Sequence, residues 1–378
     1  MAEMKVQSES LTAIADKIRE KTESTDKLIF PNGFVEAIDS ISGGGSIDYG
    51  KVYSAYKLHA NNQLLPIIGL YDSSECTDFQ NMLSNCTELT NIPEIDTSNG
   101  TTFTSMFQGC QNLTTIPKID TSNGTNFSSM FRECQNLTTI PEIDTSNGTT
   151  FINMFFRCRN LTTIPEIDTS NGTNFSNMFQ GCQNLTTIPE IDTSNGTTFM
   201  SMFCECQNLT TIPKIDTSIG TTCYYMFYKC QNLTTIPEID TSNTTTFENM
   251  FYECQNLTTI PKLDTSNGKS FVKMFYGCSE LTNLSLYNIK KTIQIGSGTS
   301  WGHLLTVDSL VHTIKELCTV SSSQILTIGS ANLGKITNLY CKITDDTTEK
   351  KEMELCESTD EGAITLFDYA LSKNWSIQ

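Results

Sequence analysis

Positive charge, histidine and long apolar runs are scarce in this sequence. Lysine and arginine total 24 against 42 aspartates and glutamates, a net charge of −18. Such a chain repels phosphate backbones, which excludes nucleic acid as an expected partner. The only histidines are His59, His303 and His312, too few and too dispersed for a histidine metal site. No apolar run approaches bilayer-spanning length, so no membrane insertion is expected. Nor does a cationic, apolar leader open the sequence. The expectation is manufacture in a cytoplasm without a signal peptide, with any display outside the cell reached by another route.

Cysteine, by contrast, is abundant and strictly spaced. Cys86, Cys110, Cys134, Cys158, Cys182, Cys206, Cys230, Cys254 and Cys278 follow one another every 24 residues. Each heads a near-copy of CQNLTTIPEIDTSNGTTFxxMFxx, which is the signature of stacked identical units rather than one globular core. An odd total of 15 cysteines, nine of them in one register, argues for packed free thiols, since pairing neighbours would leave one over.

In the unit that begins at Cys110, the apolar positions are Leu113, Ile116, Ile119, Phe127, Met130 and Phe131, with Cys134 opening the next. The last four fall at i, i+3, i+4 and i+7, which predicts a short amphipathic helix. Thr125 is placed to cap its start and Asn136 to end it in a left-handed conformation. Leu113 to Pro117 is predicted to be extended, with Ile116 inward. Asp120-Thr121-Ser122-Asn123-Gly124 reads as a turn, its glycine supplying positive φ. One unit cannot bury its own apolar face, but stacked units can, at roughly 4.8 Å per step and about 45 Å for nine turns.

The runs of form MFxxCxxLTxIPxxDTSN, such as Met106 through Asn123, resemble leucine-rich repeats of the BspA-like kind, and most closely the repeat of Mycoplasma-type surface lipoproteins and of many phage structural proteins. The resemblance covers residues 62–287. It implies an α/β solenoid, a leucine-rich-repeat-like parallel β-stack of 24-residue repeats with short helices on one side. It also implies adhesion or recognition without catalytic residues. The residues agree: Asp96, Asp120, Asp144 and their successors recur in an unchanging Asp-Thr-Ser-Asn setting, as turn formers do, whereas an active site is normally unique within a chain. No enzyme activity, cofactor or metal is expected, calcium along the aspartate column being the alternative weighed. The many Asn-Leu-Thr and Asn-Gly-Thr triplets come with the repeat and are discounted as glycosylation sites in a bacterial or phage setting.

The ends differ from the repeats. Residues 62–85 keep Leu65, Phe79, Met82 and Leu83 but lack the initial cysteine. Residues 288–378 read as irregular repeats closing the stack: the pattern dissolves at Gly296-Ser297-Gly298, a helix is predicted over Val307–Leu317, with Leu310, Ile314 and Leu317 on one face, a strand over Gln324–Ile328, a helix over Ala363–Ser372 and an extended Trp375–Gln378. Thr344–Glu352 reads as an exposed loop. Residues 1–42 predict two short helices, with Leu11, Ile14 and Ile18 on the first, Phe30 and Phe34 around a turn, and Ile38 on the second. A pair this small has too little core to stand alone. Residues 43–61 form a glycine-rich joint and lead-in strand. The run SLTAIADKIREKT…FPNGFVEAIDSI resembles N-terminal modules of tail and other structural proteins of Firmicutes phages, which implies docking to other virion proteins or oligomerisation.

Near-identical copies also reveal which positions are free to change. Counted from each cysteine, these are offsets 18, 19, 22 and 23, expected on the outer side. They make Phe156 a candidate surface-binding residue and bring Tyr224, Tyr225, Tyr228, Tyr252 and Tyr276 into a candidate exposed aromatic patch, a composition used in protein and carbohydrate recognition, with drift on a solvent face as the plain alternative. Offset 8 carries only Glu or Lys, from Glu94 and Lys118 to Lys262, which favours solubility. With the two resemblances, these features imply a phage virion surface protein, associated with tail or baseplate and acting as a homo-oligomer. It would recognise a host cell-surface protein or glycan by multivalent contact. The alternative is a capsid or tail decoration or spacer protein with no receptor of its own.

Overall fold

The computed structural model describes residues 73–296 except 75, 88 and 93, then 305–346 and 351–378. The expected docking residues Leu11, Ile14, Ile18, Phe30, Phe34 and Ile38, the joint at 43–61, Leu65, and Ser297 with Gly298 lie outside the described residues.

From Cys76 to Ile295 the chain winds through successive turns around one continuous apolar interior. Parallel bridges link equivalent positions turn by turn, as in Thr102 to Asn126, Asn126 to Thr150 and Thr150 to Asn174. Inside, side chains stand in columns. Phe107, Phe131, Phe155, Phe179, Phe203, Phe227, Phe251 and Phe275 stack with ring centroids 5.4 to 5.9 Å apart. A second column runs from Phe79 to Phe199, breaks at Cys223 and resumes with Phe247 and Phe271.

The repeat cysteines are buried thiols that form no disulfide. From Cys134 to Cys278 each thiol donates to the carbonyl of a phenylalanine in the preceding turn at 3.0 Å, Cys134 to Phe107 and Cys158 to Phe131 among them.

The expected short helix does not form. Phe127, Met130, Phe131 and Cys134 are all fully buried, but the backbone between them makes two tight turns in which Ser129 (φ 58°) and Glu133 (φ 61°) are left-handed. Alternate amides bond within the turn, Met130 to Phe127 O and Cys134 to Phe131 O. The others reach the next turn, Ser129 to Ile152 O and Phe131 to Met154 O. The reason is spacing: a helix uses its amides internally and is about 10 Å wide, twice the distance between hydrogen-bonded neighbours. A period of four residues in paired tight turns mimics the i, i+3, i+4, i+7 stripe.

Thr125 therefore caps nothing, and its hydroxyl donates to Thr101 O of the turn before at 3.2 Å. Asn136 is not left-handed; its amide donates to Asn112 Oδ1 at 3.3 Å, one rung of an amide ladder that continues to Asn256.

The Asp-Thr-Ser-Asn segment is a turn, as expected, and also a tie between turns. Asp120 accepts from the Ser122 amide and hydroxyl at 3.0 and 2.7 Å. Thr121, buried, donates forward to Asp144 O at 2.7 Å, and Asn123 donates backward to Ser98 O at 2.9 Å. Gly124 does not have the expected positive φ. It is required by packing, because a Cβ there would lie 2.7 Å from Phe127 Cζ and 2.8 Å from Phe103 Cε2.

Regular strands appear late. β1 (Thr259–Asp264) pairs in parallel with β2 (Asn283–Tyr287), and the register shifts between Ile260 and Lys262, where Pro261 has no amide to donate. β2 carries no proline, so the ladder can form. Beyond it come β3 (Ile293–Gln294), α1 (Val307–Lys315), β4 (Gln324–Thr327), α2 (Ser330–Ile336), β5 (Tyr340–Asp346), β6 (Lys351–Cys356), β7 (Ile364–Thr365), α3 (Leu366–Ser372) and β8 (Trp375–Ile377). β3, β4 and β8 form a parallel sheet, and β5 pairs antiparallel with both β6 and β7. Leu310, Ile314 and Leu317 are buried as expected. Thr344–Glu352 is not one loop: strand structure reaches Asp346 and resumes at Lys351. The antiparallel bonding of β5 to β6 satisfies backbone groups of a segment too polar to signal a strand by alternation.

Candidate functional site

The left-handed residues explain where variability is tolerated. Offsets 19 and 23 are the positive-φ positions, occupied by Ser129 and Glu133, Ser201 and Glu205, Tyr225 and Lys229, Asn249 and Glu253. Together with their neighbours at offsets 18 and 22 they form the surface where successive tight turns meet solvent. The face is not wholly exposed: Ser105, Ser176, Ser201 and Cys204 are buried within it.

The five tyrosines of the expected patch come together there. Tyr224 and Tyr225 lie 4.2 Å apart between ring centroids, and Tyr225 and Tyr228 lie 4.8 Å apart, both pairs tilted. Tyr228, Tyr252 and Tyr276 then stack nearly parallel at 4.8 and 4.9 Å. All five are half-buried rather than freely exposed. Because the rings of the stack cover one another's faces, the ladder presents ring edges, while the Tyr252 hydroxyl is hydrogen-bonded to Glu253 and that of Tyr228 to Lys229. Burial, followed by the influence of Glu253, pushes the Tyr252 hydroxyl up to about 12, and burial also raises that of Tyr228. Both hydroxyls stay protonated at neutral pH, and that of Tyr252 donates to the Glu253 carboxylate.

Cations border the ladder. Lys229 lies over Tyr228, with its Nζ 5.3 Å from the ring centroid, and 3.9 Å from Glu253. Lys273 sits 6.0 and 5.8 Å from the rings of Tyr252 and Tyr276.

Phe156 does not belong to this cluster. It occupies the same offset three turns earlier, separated from Tyr228 by Gln180 and Cys204. Arg132 and Arg157 lie over its ring at 4.9 and 5.0 Å, a pairing the aromatic pattern did not reveal. The available signal was scarcity: the chain has four arginines, and Arg132, Arg157 and Arg159 are three of them.

The aspartate column behaves as turn chemistry. Backbone and hydroxyl hydrogen bonds from Ser122 hold the Asp120 carboxyl below the usual carboxylate range, and Ser146 does the same for Asp144. Among the described residues, no three His, Cys, Asp or Glu side chains converge as metal ligands would. No helix among them is long and apolar enough to cross a membrane.

Columns of identical side chains, inter-turn backbone bonds and an uninterrupted apolar interior define a repeat solenoid presenting a variable outer face. The chain belongs to the family described as "Mycoplasma protein of unknown function, DUF285", whose pattern matches residues 52–163, 149–260 and 197–298. That membership agrees with the BspA-like leucine-rich-repeat resemblance. Among solved structures it is similar to the TLR13–ssRNA13 complex (14% identity, TM-score 0.26, covering 66% of this chain and 41% of that one). It is also similar to the plant peptide hormone receptor RGFR1 in complex with RGF2 (15%, TM-score 0.24, 64% and 41%). A third is the T. pallidum leucine-rich repeat protein (15%, TM-score 0.19, 64% and 77%). The matched part of this chain thus spans about two fifths of the first two chains. Comparison with curated proteins found no match.

Proposed function

We propose that the protein is a non-enzymatic surface-recognition protein whose solenoid holds the tyrosine ladder of Tyr224, Tyr225, Tyr228, Tyr252 and Tyr276 against a host cell-surface ligand. The observation that carries this reading is where variation falls. Packing columns repeat almost unchanged for eight turns, while changes collect on one outer face and build there a contiguous aromatic strip with protonated hydroxyls. Large, rigid aromatic side chains give contact area at low entropic cost, and they dominate recognition surfaces. In the finer reading the chain is a phage virion component, docked and oligomerised through residues 1–42, with many copies per particle converting weak contacts into avidity.

The test is binding of the full chain to host cells. Replacing Tyr228 and Tyr252 by Ala is expected to lower the affinity by about tenfold or more, as loss of recognition anchors does. Unchanged binding removes the ladder as the contact, and a failure of the parent protein to bind at all favours the spacer reading. Deleting residues 1–42 is expected to abolish virion incorporation and leave cell binding per monomer intact.

A further inference from the structure

A second station lies on the same face, and its chemistry differs from that of the ladder. Arg132 and Arg157 approach the Phe156 ring, each about 5 Å from its centroid, so the ring holds two guanidiniums in place. Their shared acid is Glu133, 3.4 Å from Arg132 and 3.9 Å from Arg157. Each guanidinium carries five N–H donors, and one carboxylate cannot occupy ten. Arg132 Nε is buried with no acceptor among the described residues. A buried donor without an acceptor is costly, but no solvent-borne oxygen reaches that atom; the donors open to an anion are on the part-exposed guanidiniums of Arg132 and Arg157, whose side chains are 36% and 49% exposed. Arg159, exposed two residues further along the chain, adds another positive charge. The chain's net charge of −18 opposes polyanions in general, so the anionic group must be held at this station against the field of the remaining surface.

We infer that Arg132, Phe156 and Arg157 form an anion-binding station, and that the ligand of this face is an acidic polysaccharide whose carboxylate or phosphate group docks there while its sugar chain runs to the tyrosine ladder. The inference rests on the recognition reading above. Equivalent backbone positions in successive turns are about 4.8 Å apart, so Phe156 and Tyr228, three turns distant, are roughly 15 Å apart, within the span of a short oligosaccharide. The occupant is a polysaccharide rather than an acidic peptide because Tyr228, Tyr252 and Tyr276 recur at 4.8 and 4.9 Å. Same-side residues of an extended peptide recur at about 6.6 Å and fall out of step with such rungs. Ring units of a sugar chain can take one rung each against the ring edges, their hydroxyls bonding the Lys229 and Glu253 side chains that border the ladder.

The experiment is equilibrium binding of the full chain to polygalacturonate, dextran phosphate, neutral dextran and polyglutamate. The expected result is binding to polygalacturonate or dextran phosphate, the two arms distinguishing carboxylate from phosphate, and weak or no binding to neutral dextran and polyglutamate. R132Q/R157Q is expected to weaken the anionic arm by about tenfold or more and to reduce its salt dependence, as loss of charge-assisted contacts does. R132K/R157K, which keeps charge but loses the planar fork, is expected to recover only part of it. A circular-dichroism melt checks that both variants fold. Equal binding by R132Q/R157Q and parent overturns the station, and if Y228A/Y252A still loses host-cell binding, the ladder reading survives. Preference for polyglutamate overturns the polysaccharide assignment. Failure to bind either anionic polymer, with host-cell binding intact, overturns the acidic ligand alone.

Discussion

At the residue scale, the glycine after Asp-Thr-Ser-Asn and the phenylalanine three positions later are one packing unit. Gly148 has Phe151 Cζ at 2.8 Å and Phe127 at 3.0 Å from where its Cβ would sit. Two successive repeats depart from the rule, one on each count. Phenylalanine gives way to Cys223, and in the next turn glycine gives way to Thr244, which is fully buried with its hydroxyl 3.5 Å from Cys223 Sγ. The side chain that is lost makes room for the one that is gained. Gly148→Ala is therefore expected to cost about 1–3 kcal/mol in denaturant unfolding, as overpacking does. Cys223→Phe alone should be similarly harmful, and addition of Thr244→Gly should recover much of the loss, a coupling of about 0.5–3 kcal/mol in a double-mutant cycle.

Thiol chemistry belongs to the same scale. Burial pushes Cys278 up to about 12 and Cys223 to about 11, so neither is a thiolate at neutral pH. Of the 15 thiols, only Cys318 and Cys356 are less than buried. A thiol-reactive dye should therefore label at most these two quickly in native protein, with the remainder reacting only in denaturant.

At the element scale, the apolar spacing identified the right residues and the wrong backbone. Phe127, Met130, Phe131 and Cys134 were legible as core because burial follows hydrophobicity. Two tight turns and one helix share that stripe, and only the cross-turn amide bonds separate them. The left-handed positions give the distinction a test. Asn177 (φ 56°) replaced by Gly is expected to be neutral or slightly stabilising, whereas a β-branched Val is expected to cost on the order of 1–2 kcal/mol, read from chemical denaturation. In a helix the order would be reversed. Toward the chain's end, α1 does form: Thr306 accepts from the Ser309 amide at 3.2 Å, and Thr306→Ala should cost about 1 kcal/mol. The β5–β6 pair escaped notice because its residues are mostly polar.

At the scale of the whole molecule, repetition makes weak ties additive. Each turn contributes a carboxylate accepting from the serine two residues on, and Asp120, Asp144, Asp192 and Asp216 are all held below the ordinary carboxylate range by those bonds. A lowered folded-state pKa stabilises the fold above the unfolded-state value, and that contribution is lost as pH falls through the folded-state value. The melting temperature is expected to hold from neutral pH down to about pH 5 and then decline toward pH 3, less steeply when several of the Ser-Asp pairs are replaced by Ala-Asn. The end of the stack matters equally. Leu284, Leu286 and Ile289 are buried in the continuous interior, and Leu310 and Ile314 extend it. Removing residues from 305 onward is expected to expose that edge and cause aggregation, measurable by light scattering.

The sequence by itself determined that the chain stacks and which side chains fill it, because a 24-residue spacing of apolar residues can be buried only against its own copies. It also located the face free to vary, since variation among copies is visible without coordinates. Only the tertiary structure decided the backbone of each turn, the reason for its glycine and the company of its aromatic residues. Those depend on hydrogen bonds and contacts between residues about 24 positions apart, so tyrosines one turn apart become a ladder and two arginines from different turns meet over Phe156.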